Sequence, residues 1–299
     1  MAPHGGDVGT GFTGQNGEME RLSRHIAACN NIPSPAGYLP FRIGDAQVGW
    51  LEPDAARALT FLPKTVHFGP GGVSLAASVR GVAARSAALA EIGRTLAKSG
   101  FGRIRGEEFD VRASPEGPVL ATVDRGVLPA MGIISQGVHV NGLVRRPDGL
   151  HLWVGWRSKD KAVAPGQLDN VVAGGIPAGL TPERCLVKEA EEEASIPAEL
   201  AVKARPVGRV SYIMRTNEGM RRDLLHLFDL EMPEDVIPRP NDDEVERFEL
   251  WPIRRVLEAV RDTDSVKFNV NLVLIDLFLR EGLVEDPDGS LRAGLDQLA

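Results

Sequence analysis

The stretch from Gly174 to Ile196 constrains this 299-residue chain more than any other. A Gly/Pro-rich run, Gly174-Gly175-Ile176-Pro177-Ala178-Gly179, passes into an acidic segment that stops at Pro197. Thr181 suits an N-cap, and Pro182 suits the first helical position, where its fixed φ fits. Glu183 in the first turn meets the positive end of the helix dipole. Pro197 forces the stop, because the residue before a proline avoids the helical region. The pattern predicts a helix over about 182–194.

At about 100° per residue, Glu192 falls roughly 60° to one side of Glu189 and Glu193 roughly 40° to the other. Three carboxylates therefore share one face. Leu186, Val187, Ala190 and Ala194 form an adjoining apolar face for docking on a sheet. Glu191 falls on the far side, where it is solvated. Like charges at helical neighbour spacing repel by a few tenths of a kcal/mol per pair. A cation on that face removes the repulsion. Oxygen-only ligands suit Mg²⁺ or Mn²⁺, which keep several waters and bridge to substrate phosphates.

The spacing resembles the Nudix box: Gly, five residues, Glu, seven residues, Arg-Glu, an aliphatic, any residue, Glu-Glu, any residue, Gly, an aliphatic. With Gly174 as the first glycine, the register holds through Ile196. Leu180 stands where the box has Glu, Lys188 where it has Arg, and Ser195 where it has Gly. The metal-binding pattern Glu189, Glu192, Glu193 is intact. Lys188 keeps the charge of the arginine but not its bidentate fork.

Length exceeds what one such unit needs, so two domains are expected. There is no run of about 18 apolar residues to span a membrane. The N-terminus lacks the apolar region of a signal peptide. Cys29 and Cys185 are far apart and show no metal spacing, which fits a reduced cytoplasm. A net charge of −7 argues against nucleic acid as a partner, and an anionic substrate then needs local cations or a metal.

In chain order, residues 1–16 are Gly-rich and are expected to be disordered. Residues 17–134 read as an α+β domain, with amphipathic helices over 18–29 and 82–98 and short strands between. This segment shows no constellation of chemical residues; the expectation is that it shapes the pocket and meets the organic end of a substrate. Residues 135–285 carry strands over 137–144, 150–156, 207–213, 224–230 and 244–250, with helices near 252–261 and 269–280. Residues 286–299 read as a loose tail. Strands around one acidic helix, closed by further helices, fit an α/β fold with a mixed sheet between helical layers. The Nudix resemblance implies the same α/β/α sandwich.

The flanks narrow the resemblance. Trp153-Val154-Gly155-Trp156-Arg157-Ser158, Pro165-Gly166-Gln167-Leu168-Asp169-Asn170 and Lys188-Glu189-Ala190-Glu191-Glu192-Glu193-Ala194-Ser195 are similar to one Nudix branch. It is related to the Nudix part of fungal thiamine pyrophosphokinases and carries an extra N-terminal domain. In that branch an aliphatic at 180, Lys at 188 and Ser at 195 are usual; Trp156 departs, since Arg is usual there. The resemblance implies hydrolysis of a small-molecule diphosphate, a thiamine diphosphate-like compound and especially a damaged form such as oxo- or oxythiamine diphosphate, to the monophosphate and phosphate.

Glu189, Glu192 and Glu193 are then the metal ligands, and the resemblance adds the carbonyl of Gly174. Nudix enzymes often take a further ligand or base from a segment after the box, and Glu244 is the candidate. Arg157, Lys159 and Lys161 are candidates for phosphate oxygens. Trp153, Trp156 and Tyr212 are candidates for stacking on a heteroaromatic ring. Three alternatives stand beside this reading. One is a pyrophosphohydrolase of another nucleoside diphosphate-linked substrate. Another is an isopentenyl diphosphate isomerase, which would need a catalytic cysteine on a neighbouring strand. The third is a non-catalytic sensor, which would be expected to have lost box carboxylates.

Overall fold

The structure, a computed structural model, describes residues 11–32, 34–161 and 163–298. The N-terminal half runs α1 (Gly11–Cys29), β1 (Leu39–Ile43), β2 (Ala46–Leu51), α2 (Pro53–Ala58), β3 (Val66–Gly69), β4 (Gly72–Leu75), α3 (Val82–Lys98), β5 (Glu108–Val111), β6 (Ala121–Asp124) and α4 (Leu128–Met131). The C-terminal half runs β7 (Ile134–Arg146), β8 (Gly149–Arg157), β9 (Leu168–Asp169), β10 (Val172–Gly175), α5 (Pro182–Ala194), α6 (Ala198–Ala201), β11 (Arg205–Thr216), β12 (Gly219–Glu231), β13 (Val245–Pro252), α7 (Ile253–Asp262), α8 (Phe268–Arg280) and α9 (Ser290–Gly294).

The large sheet has the order β11-β12-β7-β8-β13, with β10 on β7 and β9 on β8. It is mixed: β12 runs parallel to β7, and the other pairs are antiparallel. Its strands show the period of two that places alternate side chains on opposite faces. Val138, Val140 and Val144 of β7 pack toward α5 with Leu186, Ala190 and Ala194. Leu152 and Val154 of β8 and Leu225 and Leu227 of β12 pack the other way, with α7 and α8. This is the expected α/β/α sandwich. A separate core, built on Phe41, Leu51, Leu89, Ile92 and Phe109, belongs to the preceding α+β part and its sheet β2-β1-β4-β3.

The helix expected over 182–194 occupies those residues, and Thr181 Oγ1 caps it by accepting from the Arg184 N–H at 3.3 Å. Three boundaries need correction. Helix α1 begins at Gly11, inside the stretch expected to be disordered; residues 1–10 lie outside the described residues. Extending a formed helix is cheap once a first turn exists, so weak sequence signal does not stop it. Helix α1 also does not join the N-terminal core: Leu22, Ile26 and Cys29 are buried among residues of α7, α8 and α9. The expected loose tail is packed as well. Leu291 and Leu295 are buried, and Ser211 Oγ donates to Asp296 Oδ1 at 2.6 Å.

The two parts meet on the glycine loop. The Ala178 N–H donates to the Glu108 carbonyl at 2.7 Å. A Cβ on Gly175 would lie 2.6 Å from the ring tip of Phe109, which is itself buried. Gly175→Ala must therefore push Phe109 out of its core, at about 1–3 kcal/mol. A thermal melt of this variant should show Tm lowered by several degrees; an unchanged Tm would mean that the Phe109 contact is dispensable.

Candidate active site

Two glycines let backbone and side chains converge at the end of β10. A Cβ on Gly174 would lie 2.7 Å from the carboxyl carbon of Glu189, so only glycine allows that carboxylate to rest against the strand. One turn further along α5, Glu193 Oε2 accepts from the Ala173 N–H at 3.0 Å. Glu192 stands outside these two and is exposed, as is Glu191. The Lys188 ammonium bridges Glu189 at 3.1 Å and Glu192 at 2.5 Å.

The charges are not balanced. Burial raises the Glu193 carboxyl well above the usual range, and Asp169, Glu189 and Glu244 push it in the same direction. Glu189 is raised by burial too, with Glu192 and Glu107 adding to it and Lys188 opposing. No three acidic, histidine or cysteine side chains among the described residues sit close enough to hold an ion by themselves. The donor chemistry nonetheless fits a hard divalent cation: carboxylate oxygens only, a main-chain carbonyl at Gly174, and an excess of buried negative charge. Lys188 occupies part of the place such a cation would take. A Mg²⁺-type ion draws its remaining ligands from water and substrate phosphate.

Beside this face lies a cavity of about 460 Å³. Gly174, Gly175, Lys161 and Glu244 line one part of it; Arg103, Arg105, Phe109 and Arg125 from the N-terminal part line another. Its walls carry eight Lys or Arg side chains against four carboxylates, in a chain whose net charge is −7. Low-dielectric walls of one sign concentrate an anionic ligand. Lys161 Nζ lies 2.6 Å from Glu244 Oε2. Arg222 has no carboxylate partner among the described residues: one of its Nη donors meets the Gly132 carbonyl at 3.2 Å, and its Nε is buried without a partner.

A chain of buried polar groups ends in this cavity. Arg280 pairs with Asp229 at 2.6 Å, so that carboxylate only accepts. Asn141 Nδ2 donates to Asp229, Asn170 Nδ2 donates to Asn141 Oδ1, and Asn170 Oδ1 is left to accept from His139 Nδ1, all at 2.8–2.9 Å. The order fixes the His139 tautomer, with the proton on Nδ1 and a lone pair on Nε2. Burial, with Lys267 nearby, depresses His139 to about 4 and keeps it neutral. His139 lines the cavity and offers it an acceptor.

The phosphate and stacking candidates read from sequence divide. Lys161 and Glu244 face the cavity. Lys159 is exposed and is not among its lining residues. Arg157 reaches the wall, but its guanidinium is committed to Asp169 at 2.7 Å and to the carbonyls of Val163 and Ala164. It braces the loop instead of waiting for phosphate. Tyr212 is wholly buried and donates to Asp223 at 2.5 Å, so neither ring face is free to stack. Trp156 is covered by the Arg247 guanidinium, 4.3 Å from its ring centre, and Trp153 is buried in the core under α5. Sequence reading missed His139, Arg222 and the three N-terminal arginines. The pair of arginines in Gly102-Arg103-Ile104-Arg105-Gly106 was the available signal.

These burials predict a split between stability and activity. A carboxyl raised in the folded state costs stability in its charged form, so the cost grows as pH rises above the unfolded value. Glu193→Gln should melt higher than the native chain in EDTA at pH 8, with the gap closing toward pH 4, and should lose turnover. Glu191→Gln should change neither property. Identical melting of Glu193→Gln and the native chain at both pH values would contradict the assigned burial.

A sequence model described as a domain of unknown function (DUF4743) matches residues 21–135, and the NUDIX domain model matches residues 135–269. Nudix hydrolase 20, chloroplastic, of Arabidopsis thaliana is 35% identical over 285 residues, covering 92% of this chain and 75% of that protein. Nudix hydrolase 24, chloroplastic, of the same plant is 35% identical over 272 residues, covering 90% and 73%. Among solved structures, a Deinococcus radiodurans protein aligns with a TM-score of 0.44 at 22% identity, covering 56% of this chain and 97% of its own. With the glycine loop, the acidic helix and the two Arabidopsis relatives in agreement, the chain belongs to the Nudix hydrolases.

Proposed function

We propose that this Nudix hydrolase cleaves the phosphoanhydride of a thiamine diphosphate-like compound, preferentially an oxidised one, to the monophosphate and phosphate. The observation that carries this reading is the cation-rich cavity shared by the N-terminal part and the glycine loop. It opens next to Gly174 and Glu244, where a diphosphate would meet the carboxylates of α5. The thiamine class rests on the motif resemblance around Trp153–Ser158 and Pro165–Asn170. The preference for damage rests on charge. Eight cations against four carboxylates disfavour the fixed positive charge of an intact thiazolium ring, whereas the oxo form has lost that charge.

Glu189, Glu192, Glu193 and the Gly174 carbonyl hold a divalent cation in this reading. Bound there, it neutralises phosphate charge and provides Lewis acidity at the phosphoryl oxygens. Lys161 orients Glu244, which takes the proton of the attacking water. His139 Nε2 accepts a hydrogen bond from the organic group. The isomerase alternative loses support here: Cys29 and Cys185 are buried, do not line the cavity, and have their thiols pushed up to about 12, chiefly by burial.

Product formation in Mg²⁺ should be followed by chromatography with intact, oxo- and oxythiamine diphosphate, ADP-ribose and dinucleoside polyphosphates. The expected result is a kcat/KM for oxothiamine diphosphate at least about tenfold above that for the intact compound, a difference of roughly 1.4 kcal/mol. A nucleoside diphosphate-linked compound cleaved faster than every thiamine compound would overturn the substrate class.

A further inference from the structure

The segment Gly102-Arg103-Ile104-Arg105-Gly106 is a built loop. The buried carboxylate of Asp124 accepts from the Arg105 N–H at 3.0 Å, the Gly106 N–H at 2.6 Å and the Gly126 N–H at 2.8 Å. Gly102 and Gly106 have φ of 74° and 81°, in the left-handed region that glycine tolerates. The Arg103 N–H donates to the Gly126 carbonyl at 3.2 Å. A Cβ on Gly126 would lie 1.8 Å from the Arg103 carbonyl, so the backbone is pressed close there. The loop is thus fixed through its main chain, which leaves the side chains of Arg103 and Arg105 to the cavity.

These arginines are poorly compensated. Arg105 lies 3.5 Å from Glu218, a half-exposed pair that contributes little. Arg125 pairs with Glu107, and no ion pair is made by Arg103 or Arg222 among the described residues. Burial and the neighbouring Arg103, Arg125 and Arg221 lower the Arg105 guanidinium below its usual range, with Glu218 opposing. Several cations held together on a rigid backbone repel one another unless an anion sits among them. The adjacent surface is the glycine loop itself, since Phe109 rests on Gly175 and the Ala178 N–H donates to the Glu108 carbonyl.

We infer that the Gly102–Gly106 loop is an anion-binding loop, through which the N-terminal part grips the phosphate oxygens of the substrate bound at the α5 carboxylates. The inference deepens the diphosphatase reading and gives the N-terminal part a binding role instead of contact with the organic end alone. Arginine suits this task because its fork meets phosphate oxygens two at a time.

The test uses the full-length chain in EDTA and inorganic pyrophosphate as probe, with affinity measured by calorimetry at two salt concentrations. Native protein should bind pyrophosphate more weakly as salt rises. Arg103→Gln/Arg105→Gln should lose at least about tenfold in affinity, as expected for two charge-assisted contacts, while Arg94→Gln on the exposed face of α3 should not. Because the loop is anchored by main-chain bonds to Asp124, the Gln pair should melt like the native chain. If it does not, the Lys pair replaces it, with a loss of a few fold. Equal pyrophosphate affinity in the arginine pair and the native chain overturns the inference, as does an equal loss in Arg94→Gln. In activity assays KM for the diphosphate substrate should rise in the arginine pair. Weakened pyrophosphate binding without any change in KM would place the loop at a separate phosphate site and also overturn the inference. Failure of every thiamine compound as substrate, with the pyrophosphate result intact, would contradict the proposed substrate and leave the loop's assignment standing.

Discussion

The close approach allowed by two adjacent glycines is the constraint on which the site depends. Gly174 lets the Glu189 carboxylate lie against β10, and Gly175 lets Phe109 lie against the same loop from the other side. A side chain at either position would separate what the site brings together. The N-terminal arginines and the end of β10 therefore line one cavity, and the Glu189 carboxylate rests against β10 at Gly174. In the proposed reading, a diphosphate on the 102–106 loop and a divalent cation on α5 would satisfy the two charge clusters together. Each cluster is only partly balanced by its neighbours, Lys188 on α5 and Glu218 and Glu107 beside the arginines, and burial raises the energetic consequence of what is left.

Beneath this seam, rigidity comes from buried polar groups. Asp169 is buried, yet Lys267 and Arg157, at 2.9 and 2.7 Å, hold it below the usual carboxylate range despite that burial. The run from Arg280 through Asp229, Asn141 and Asn170 to His139 is satisfied at every step. Losing one partner would leave a buried donor or acceptor unpaired, at about 1–3 kcal/mol. Such networks specify one arrangement of side chains, here the tautomer that His139 presents to the cavity.

Much of this was legible in the chain. Thr181, Pro182 and Pro197 mark the ends of α5, and the helical period places Leu186, Ala190 and Ala194 on the sheet. The apolar alternation in β7, β8 and β12 identifies the sandwich. Tyr212, read from the sequence as a stacking candidate, instead points with Val210, two residues away in β11, into the core. What was not legible is convergence. Arg103, Arg105, Arg125 and Arg222 lie on three separated segments, and nothing in local pattern says that they meet. The roles of Arg157 and Asp124 depend on partners that only the tertiary fold supplies. The packing of α1 and of residues 290–295 against the C-terminal core escaped notice for the same reason, because helix propensity carries no information about which core a helix joins.

The central claim is that the face of α5 beside Gly174 holds a divalent cation. Titration of Mn²⁺ into the full-length protein, followed by the loss of its free-ion electron paramagnetic resonance signal, tests this without reference to any substrate. Binding should be present in the native chain and weakened at least about tenfold by Glu189→Gln, because each charged oxygen ligand contributes directly to a hard cation's affinity. Undiminished Mn²⁺ binding in Glu189→Gln would contradict the account.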